Sequence, residues 1–247
     1  MNTSLRYSRS ITLPGWGSDG QQRLGEARVL LVGVGGLGVP AATYLAAAGT
    51  GRLVLNDFDS VDESNLARQP LYATADIGKN KAKVAAARLT ETNPDCTVEA
   101  ITKRLDAGQL RAAAADCDVV LDCSDNFATR FAVNQASLET GTPLVSGAAI
   151  RFEAQLAVFR FDLQRSPCYR CLYDEAGEEL EDCRGQGVVP ALVGAVGAAM
   201  ALEAMRIIVG FGAAVHSKLL VIDALHATGR SVSLPADPAC PACQNLD

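Results

Sequence analysis

The chain has 247 residues, 49% hydrophobic and 20% charged, enough apolar surface to build one large core unaided. A net charge of -6 and an isoelectric point near 5.0 exclude a broad nucleic-acid or anionic-membrane surface, since both require clustered positive charge. Any anion must be held locally.

Residues 1–27 read as an N-terminal arm; MNTSLRYSRS lacks the apolar region of a secretory signal. Buried-strand texture follows at 29–33, an alanine-rich helix at 38–48 and a second strand at 52–57. A helix is expected over 79–93, ending before Pro94. A strand at 119–123, a helix at 127–140 and a strand at 144–147 continue the alternation, which predicts an α/β fold with a doubly wound, Rossmann-like, mostly parallel sheet.

From Gln155 the texture changes. Strands at 155–161 and 218–222, a turn at 227–230 (ATGR) and a strand at 231–234 read as a C-terminal antiparallel extension of the same sheet. A long apolar helix spans 192–209. Its longest uninterrupted apolar stretch, 191–202, is 12 residues, short of the roughly 20 that cross a bilayer. Residues 174–187 hold six acids and three glycines without periodicity and are expected to form a mobile loop. One domain, 1–247, is expected in a reducing cytoplasm, where eight cysteines serve as thiols or metal ligands.

Gly33, Gly35 and Gly38 form G-x-G-x-x-G between a strand and a helix, a geometry that brings backbone and helix N–H groups to a phosphate. Asp57, at the end of the next strand, can accept both ribose hydroxyls. The alternative is that Asp57 and Asp59 are solvated strand-end acids. So far the pattern fits NAD equally well. Arg68 and Lys81 add two cations at the mouth of the same crevice, more than a dinucleotide's pyrophosphate needs and suited to a triphosphate. Asp125, after the strand VVLDC, reads as a magnesium ligand, since a carboxylate beside phosphates requires an intervening cation. It could equally cap the helix at 127, or do both.

Two C-x-x-C pairs, Cys168 with Cys171 and Cys240 with Cys243, suit a closed, tetrahedral, structural zinc site. Cys96, Cys117 and Cys123 read as small core residues. The two histidines, His216 and His226, and the lack of H-E-x-x-H, G-x-S-x-G and P-loop patterns disfavour zinc proteases, α/β-hydrolases and P-loop NTPases.

Together, GVGGLG, DFDSVDESNLARQ, the lysines around Asn80, DCSDN and RYSRS resemble the ThiF/MoeB/HesA group of adenylyltransferases, relatives of the ubiquitin-activating enzymes, from Arg6 to Cys243. The resemblance implies ATP-dependent adenylation of the C-terminal glycine carboxylate of a ubiquitin-like sulfur carrier ending in Gly-Gly, with release of pyrophosphate. It implies that 28–150 binds the nucleotide, with Gly36 against it, Asp57 on the ribose, Asn65, Arg68 and Lys81 on the phosphates, and Asp125 with magnesium beside Asn126. It implies that 151–247 binds carrier and zinc, and that Arg9 reaches the ATP of the other subunit of a homodimer. Ser10 and Asn80 depart from the family pattern, where glutamine and proline are common.

Residue matching assigns Cys183 to covalent sulfur chemistry, as in thiazole-pathway members; molybdopterin-pathway members do not depend on it. Arg184 beside it favours a thiolate, whereas Glu178, Glu179, Glu181 and Asp182 oppose one, leaving an inert loop cysteine as the alternative. CRGQGVVP resembles thiazole-pathway members and LVSGAAIRFE molybdopterin-pathway ones. With no rhodanese domain following, the sulfur donor is expected to be a separate protein, a cysteine desulfurase or rhodanese. Competing readings are a nicotinamide-dependent oxidoreductase on the same glycine turn and a non-catalytic scaffold for a ubiquitin-like protein.

Overall fold

Strand β1 (Arg28–Val32) is buried at every position after Arg28, which explains its unbroken apolar run. It lies mid-sheet between β2 (Arg52–Asn56) and β4 (Val119–Asp122), parallel to both. The structure, a computed structural model, describes residues 5–173, 186–213 and 216–244. Eight strands form one sheet in the order β3-β2-β1-β4-β5-β6-β7-β8, with β3 at Thr97–Ile101, β5 at Leu144–Ile150, β6 at Glu153–Phe159, β7 at Lys218–Asp223 and β8 at Thr228–Ser233. Pairings are parallel from β3 through β5 and antiparallel from β5 through β8.

One face is covered by α3 (Gly38–Ala48), α4 (Lys81–Thr92) and α8 (Pro190–Val209), the other by α5 (Ala107–Ala115) and α6 (Phe127–Thr140). The alternating residues of β1 show this division: Val29 and Leu31 join the first core, Leu30 and Val32 the second. Because β2 and β4 flank β1 on opposite sides, a crevice opens beyond the carboxyl ends of β1 and β4. Helix α8 is long and apolar enough to span a membrane by length and composition, yet half of it is buried inside this protein.

One expectation is corrected. The hairpin turn lies at 224–227, before the residues expected, because Asp223 pairs with Thr228 and its carboxylate accepts the N–H groups of Leu225 and His226 at 3.0 and 3.1 Å. Ala227 takes the positive φ of 53°, so Gly229 is left inside the strand. The N-terminal arm contains α1 (Ser8–Ile11) and α2 (Gly17–Glu26); α2 buries Leu24, and Arg23 donates to the Val209 carbonyl at 2.5 Å. Strand β3 and helix α5 were likewise not anticipated. Most of the expected 174–187 loop, residues 174–185, lies outside the described residues.

Candidate active site

The glycine turn is shaped by its own closure. Gly33 has φ of +92°, and a Cβ there would lie 2.8 Å from the Cys123 carbonyl oxygen. At Gly38 a Cβ would lie 2.0 Å from the carbonyl oxygen of Gly33. The turn therefore presses against the end of β4 and delivers the amino end of α3 to the crevice. No side chain caps that end; Val39 donates to the Gly35 carbonyl at 2.9 Å, Ala41 donates to the Leu37 carbonyl at 3.2 Å and Pro40 has no N–H, so what the helix offers an anion is chiefly the positive end of its dipole. Gly36 is held from the other side: its missing Cβ points at Val193 of α8.

Asp57, just beyond β2, is buried, not solvated. One carboxylate oxygen accepts the Val34 N–H of the glycine turn at 2.8 Å and the other accepts the Asp59 N–H at 2.9 Å. Burial pushes its pKa up, opposed by the Val34 N–H and by Lys81. Each oxygen retains a lone pair for a further donor, as two ribose hydroxyls would supply. Asp59 is exposed and meets Lys81, with Nζ 3.3 Å from its carboxylate. Lys81 opens α4 with its side chain 9% exposed, so this ammonium is fixed in place by packing.

Asn80 caps α4, accepting the Lys83 N–H at 3.1 Å, and donates to the carbonyls of Asp57 and Asp59. Its φ of -64° is the value proline would impose, so this departure from the family pattern preserves the backbone. Tyr72, missed in the sequence, joins the parts: its buried hydroxyl donates to the Val34 carbonyl at 2.7 Å and lies 3.3 Å from that of Lys81.

Between them, the short helix Glu63–Asn65 places Asn65, which is buried. Arg68 follows, its guanidinium donating to the Ser64 carbonyl at 2.7 Å and its own carbonyl 3.7 Å from where a Gly36 Cβ would lie. Gln69, also missed, is 3% exposed; its Oε1 has no partner among the described residues, and its Nε2 lies against Gly35. A buried, unsatisfied amide beside the turn suits a site that accepts a polar guest.

The β4 to α6 turn completes the crevice. Ser124 N lies 3.3 Å from where a Gly33 Cβ would lie, so Asp125, the next residue, stands beside the glycine turn. Asn126, not Asp125, caps α6, accepting the Thr129 N–H at 2.9 Å. On the α6 side, Arg130, Ser146, Gly147, Gln155, Tyr169 and Tyr173 line a small depression that is half open to solvent. Gly33, Gly35, Gly36, Gly38, Asp57, Asp59, Asn65, Arg68, Lys81, Asp125 and Asn126 thus lie on the segments that border one crevice, with two cations and three acids among them.

The ThiF family model matches residues 7–242, nearly the whole chain. The chain belongs to the ThiF family. Two relatives from Escherichia coli K12 are the molybdopterin-synthase adenylyltransferase, 43% identical over 97% of this chain and 96% of that protein, and the sulfur carrier protein ThiS adenylyltransferase, 44% identical over 97% and 94%. The SAMP-activating enzyme E1 of Haloferax volcanii is 44% identical over 96% and 88%. The crystal structure of E. coli MccB with ATP superposes with a TM-score of 0.85 at 22% identity, over 98% of this chain and 74% of that one, and shows the shared fold.

Arg9 of this ThiF chain stands apart from the crevice. It is exposed on α1, and the preceding Tyr7 packs against Gly49 at the carboxyl end of α3 and accepts from Asn93 at 2.8 Å. Gly38 marks the crevice end of that helix, whose 11 residues separate the two places by about 16 Å.

The four cysteines of the two C-x-x-C pairs do gather. Their sulfurs lie within 4.8 Å of one another, with Cys168 to Cys240 at 3.6 Å and Cys171 to Cys243 at 3.5 Å. Tetrahedral zinc with bonds of about 2.3 Å spaces its sulfurs by about 3.8 Å, so the set fits zinc and could hold a metal. Its interaction with Cys168, helped by the backbone N–H groups of Cys168 and Asp237, holds the Cys171 thiol below its usual range against burial. Cys96 and Cys123 are buried, and burial raises both thiols. Cys117 is partly buried and pushed up to about 12, chiefly by burial. Cys183 lies outside the described residues.

Proposed function

We propose that this chain is an ATP-dependent adenylyltransferase that activates the C-terminal glycine carboxylate of a ubiquitin-like sulfur carrier ending in Gly-Gly. What supports the reading is that Arg68 passes beside Gly36, Ser124 next to Asp125 lies against Gly33, and Lys81 meets Asp59 next to the Asp57 that grips the turn, in a chain whose relatives of near-equal length are named for this activity. The carboxylate, with an ordinary pKa of about 3.5, is ionised at neutral pH and needs no general base. Its oxygen forms a bond to the α-phosphorus as the α–β bridging P–O bond breaks, and pyrophosphate leaves.

The crevice residues contribute position and charge. Helix α3 and the glycine turn seat the phosphates, Asp57 orients the ribose, and Asn65, Arg68 and Lys81 counter charge on the departing pyrophosphate. Asp125, with Asn126 beside it, would hold magnesium, which supplies further charge neutralisation when bound. We assign residues 28–150 to nucleotide binding and 151–247 to carrier binding and a structural zinc site. The position of Arg9 near Tyr7, which packs at the far end of α3 from the crevice, supports a homodimer in which Arg9 completes the partner's site. Cys183 is assigned to covalent sulfur transfer, with sulfur from a separate donor, in the cytoplasm.

Carrier-dependent exchange of labelled pyrophosphate into ATP tests the reading, using one thiazole-type and one molybdopterin-type carrier. Arg68→Ala and Asp125→Ala should each lower exchange at least about tenfold, since one charge-stabilising group commonly contributes a few kcal/mol to the barrier. Exchange with neither carrier overturns the proposed function.

A further inference from the structure

The turn that carries Asp125 is fixed by a buried polar clamp that the proposed chemistry does not itself use. Asp122, the last residue of β4, is 1% exposed. Its Oδ1 accepts the Ser124 N–H at 3.1 Å and the Ser124 hydroxyl at 2.6 Å, while its Oδ2 accepts the Ser146 hydroxyl of β5 at 2.9 Å. Arg130 of α6, 7% exposed, donates to the Ser124 carbonyl at 2.7 Å. Every backbone and side-chain polar group of Ser124 is therefore engaged, from one strand and a helix, and Ser146 of a second strand holds Asp122 in turn.

Burying a carboxyl and a guanidinium is costly unless each is fully partnered, so such a clamp calls for a reason. Starting α6 is not that reason, because Asn126 already caps it. What the clamp does fix is the peptide joining Ser124 to Asp125. We propose that Asp122 is a positioning residue that acts through Asp125: with Ser146 and Arg130 it holds the Ser124–Asp125 peptide so that the Asp125 carboxylate is presented to the metal–nucleotide. This rests on the reading of Asp125 given above.

The test measures Mn2+ binding with α,β-methylene ATP by water-proton relaxation, alongside affinity for the analogue alone in EDTA. Asp122→Ala should weaken Mn2+ binding about tenfold, as Asp125→Ala does, while analogue affinity in EDTA stays within about twofold of wild type. Because Asp122 acts through Asp125, the double variant should be no worse than Asp125→Ala alone. Asp122→Asn, which keeps an acceptor for Ser124, should restore Mn2+ binding to within about threefold of wild type. Should Asp122→Ala not fold, Ser146→Ala carries the test, with about threefold weaker Mn2+ binding expected.

Wild-type Mn2+ affinity in Asp122→Ala, or in Ser146→Ala where that variant carries the test, overturns the inference. So do losses that multiply in the double variant, as independent structural damage would produce. Wild-type affinity in Asp125→Ala removes the premise and the inference with it, whereas loss there with none in Asp122→Ala overturns the inference alone.

Discussion

Substituting Gly36 by alanine separates packing from ligand clearance in the glycine turn. The added Cβ would lie 2.6 Å from Cγ1 of Val193, whereas carbon atoms rest at about 3.5–4.0 Å, so α8 or the turn must give by about 1 Å. Val193 is 5% exposed and β-branched, with little room to rotate away. Overpacking of this kind costs about 1–3 kcal/mol, or about 2–12 °C in Tm for a chain of this size. Val193→Ala alone should cost about 2 kcal/mol for two buried methyls and the space they leave. The double variant should be at least about 1 kcal/mol more stable than the sum of the two single losses.

ATP affinity follows the same logic. Because the new methyl points at α8, any loss of ATP binding in Gly36→Ala should be largely recovered in the Gly36→Ala/Val193→Ala pair. Thermal unfolding and isothermal titration with ATP measure the two quantities. If the pair regains stability but binds ATP as poorly as Gly36→Ala, the methyl obstructs the nucleotide and the packing account is refuted.

Tyr72→Phe strands the buried Val34 carbonyl and should cost about 1–2 kcal/mol in denaturant unfolding; an unchanged midpoint would show that water replaces the hydroxyl. Asp76 is held below its usual pKa of 3.8, first by the Ala73 N–H and also by Lys79 and Arg88. Its contribution is therefore complete above 3.8 and lost as pH falls through the lower folded value. Asp76→Asn should be less stable than wild type at pH 7, with the gap closing below pH 3.8; a constant gap refutes this. Cys240→Ser should abolish stoichiometric zinc in elemental analysis and lower Tm, and undiminished zinc would refute the four-thiol site. Mixing Arg9→Ala with Arg68→Ala subunits should regain activity that neither variant has, through hybrid dimers with one intact site; no regain argues that Arg9 acts elsewhere.

Elements whose signals are local were legible in the sequence. Helices α3 and α6 span 38–48 and 127–140 as expected, although Asn126 and not Asp125 caps the second. Strand β3 escaped because, at the sheet edge, its residues are only partly buried and TVEAI lacks an apolar run. Helix α5 escaped although Asp106 and Gln109 form a capping box, and α2 because only Gly20 and Leu24 of its residues are buried. In the site, charge and glycine spacing marked Asp57, Lys81, Arg68 and Asp125. Tyr72, Gln69 and the Asp122 clamp were invisible because their partners are backbone atoms or residues of other elements that only folding brings near.

The sulfur cluster pairs residues 72 positions apart, Cys168 with Cys240 and Cys171 with Cys243. A metal seated there makes a ring of the intervening chain, and α8, the helix that presses on Gly36, is a segment of that ring. Stripping the metal would reopen it and return configurational freedom to the unfolded chain. Chelation should then lower the stability of the fold that holds the glycine turn, although the four thiols stand on other segments of the chain.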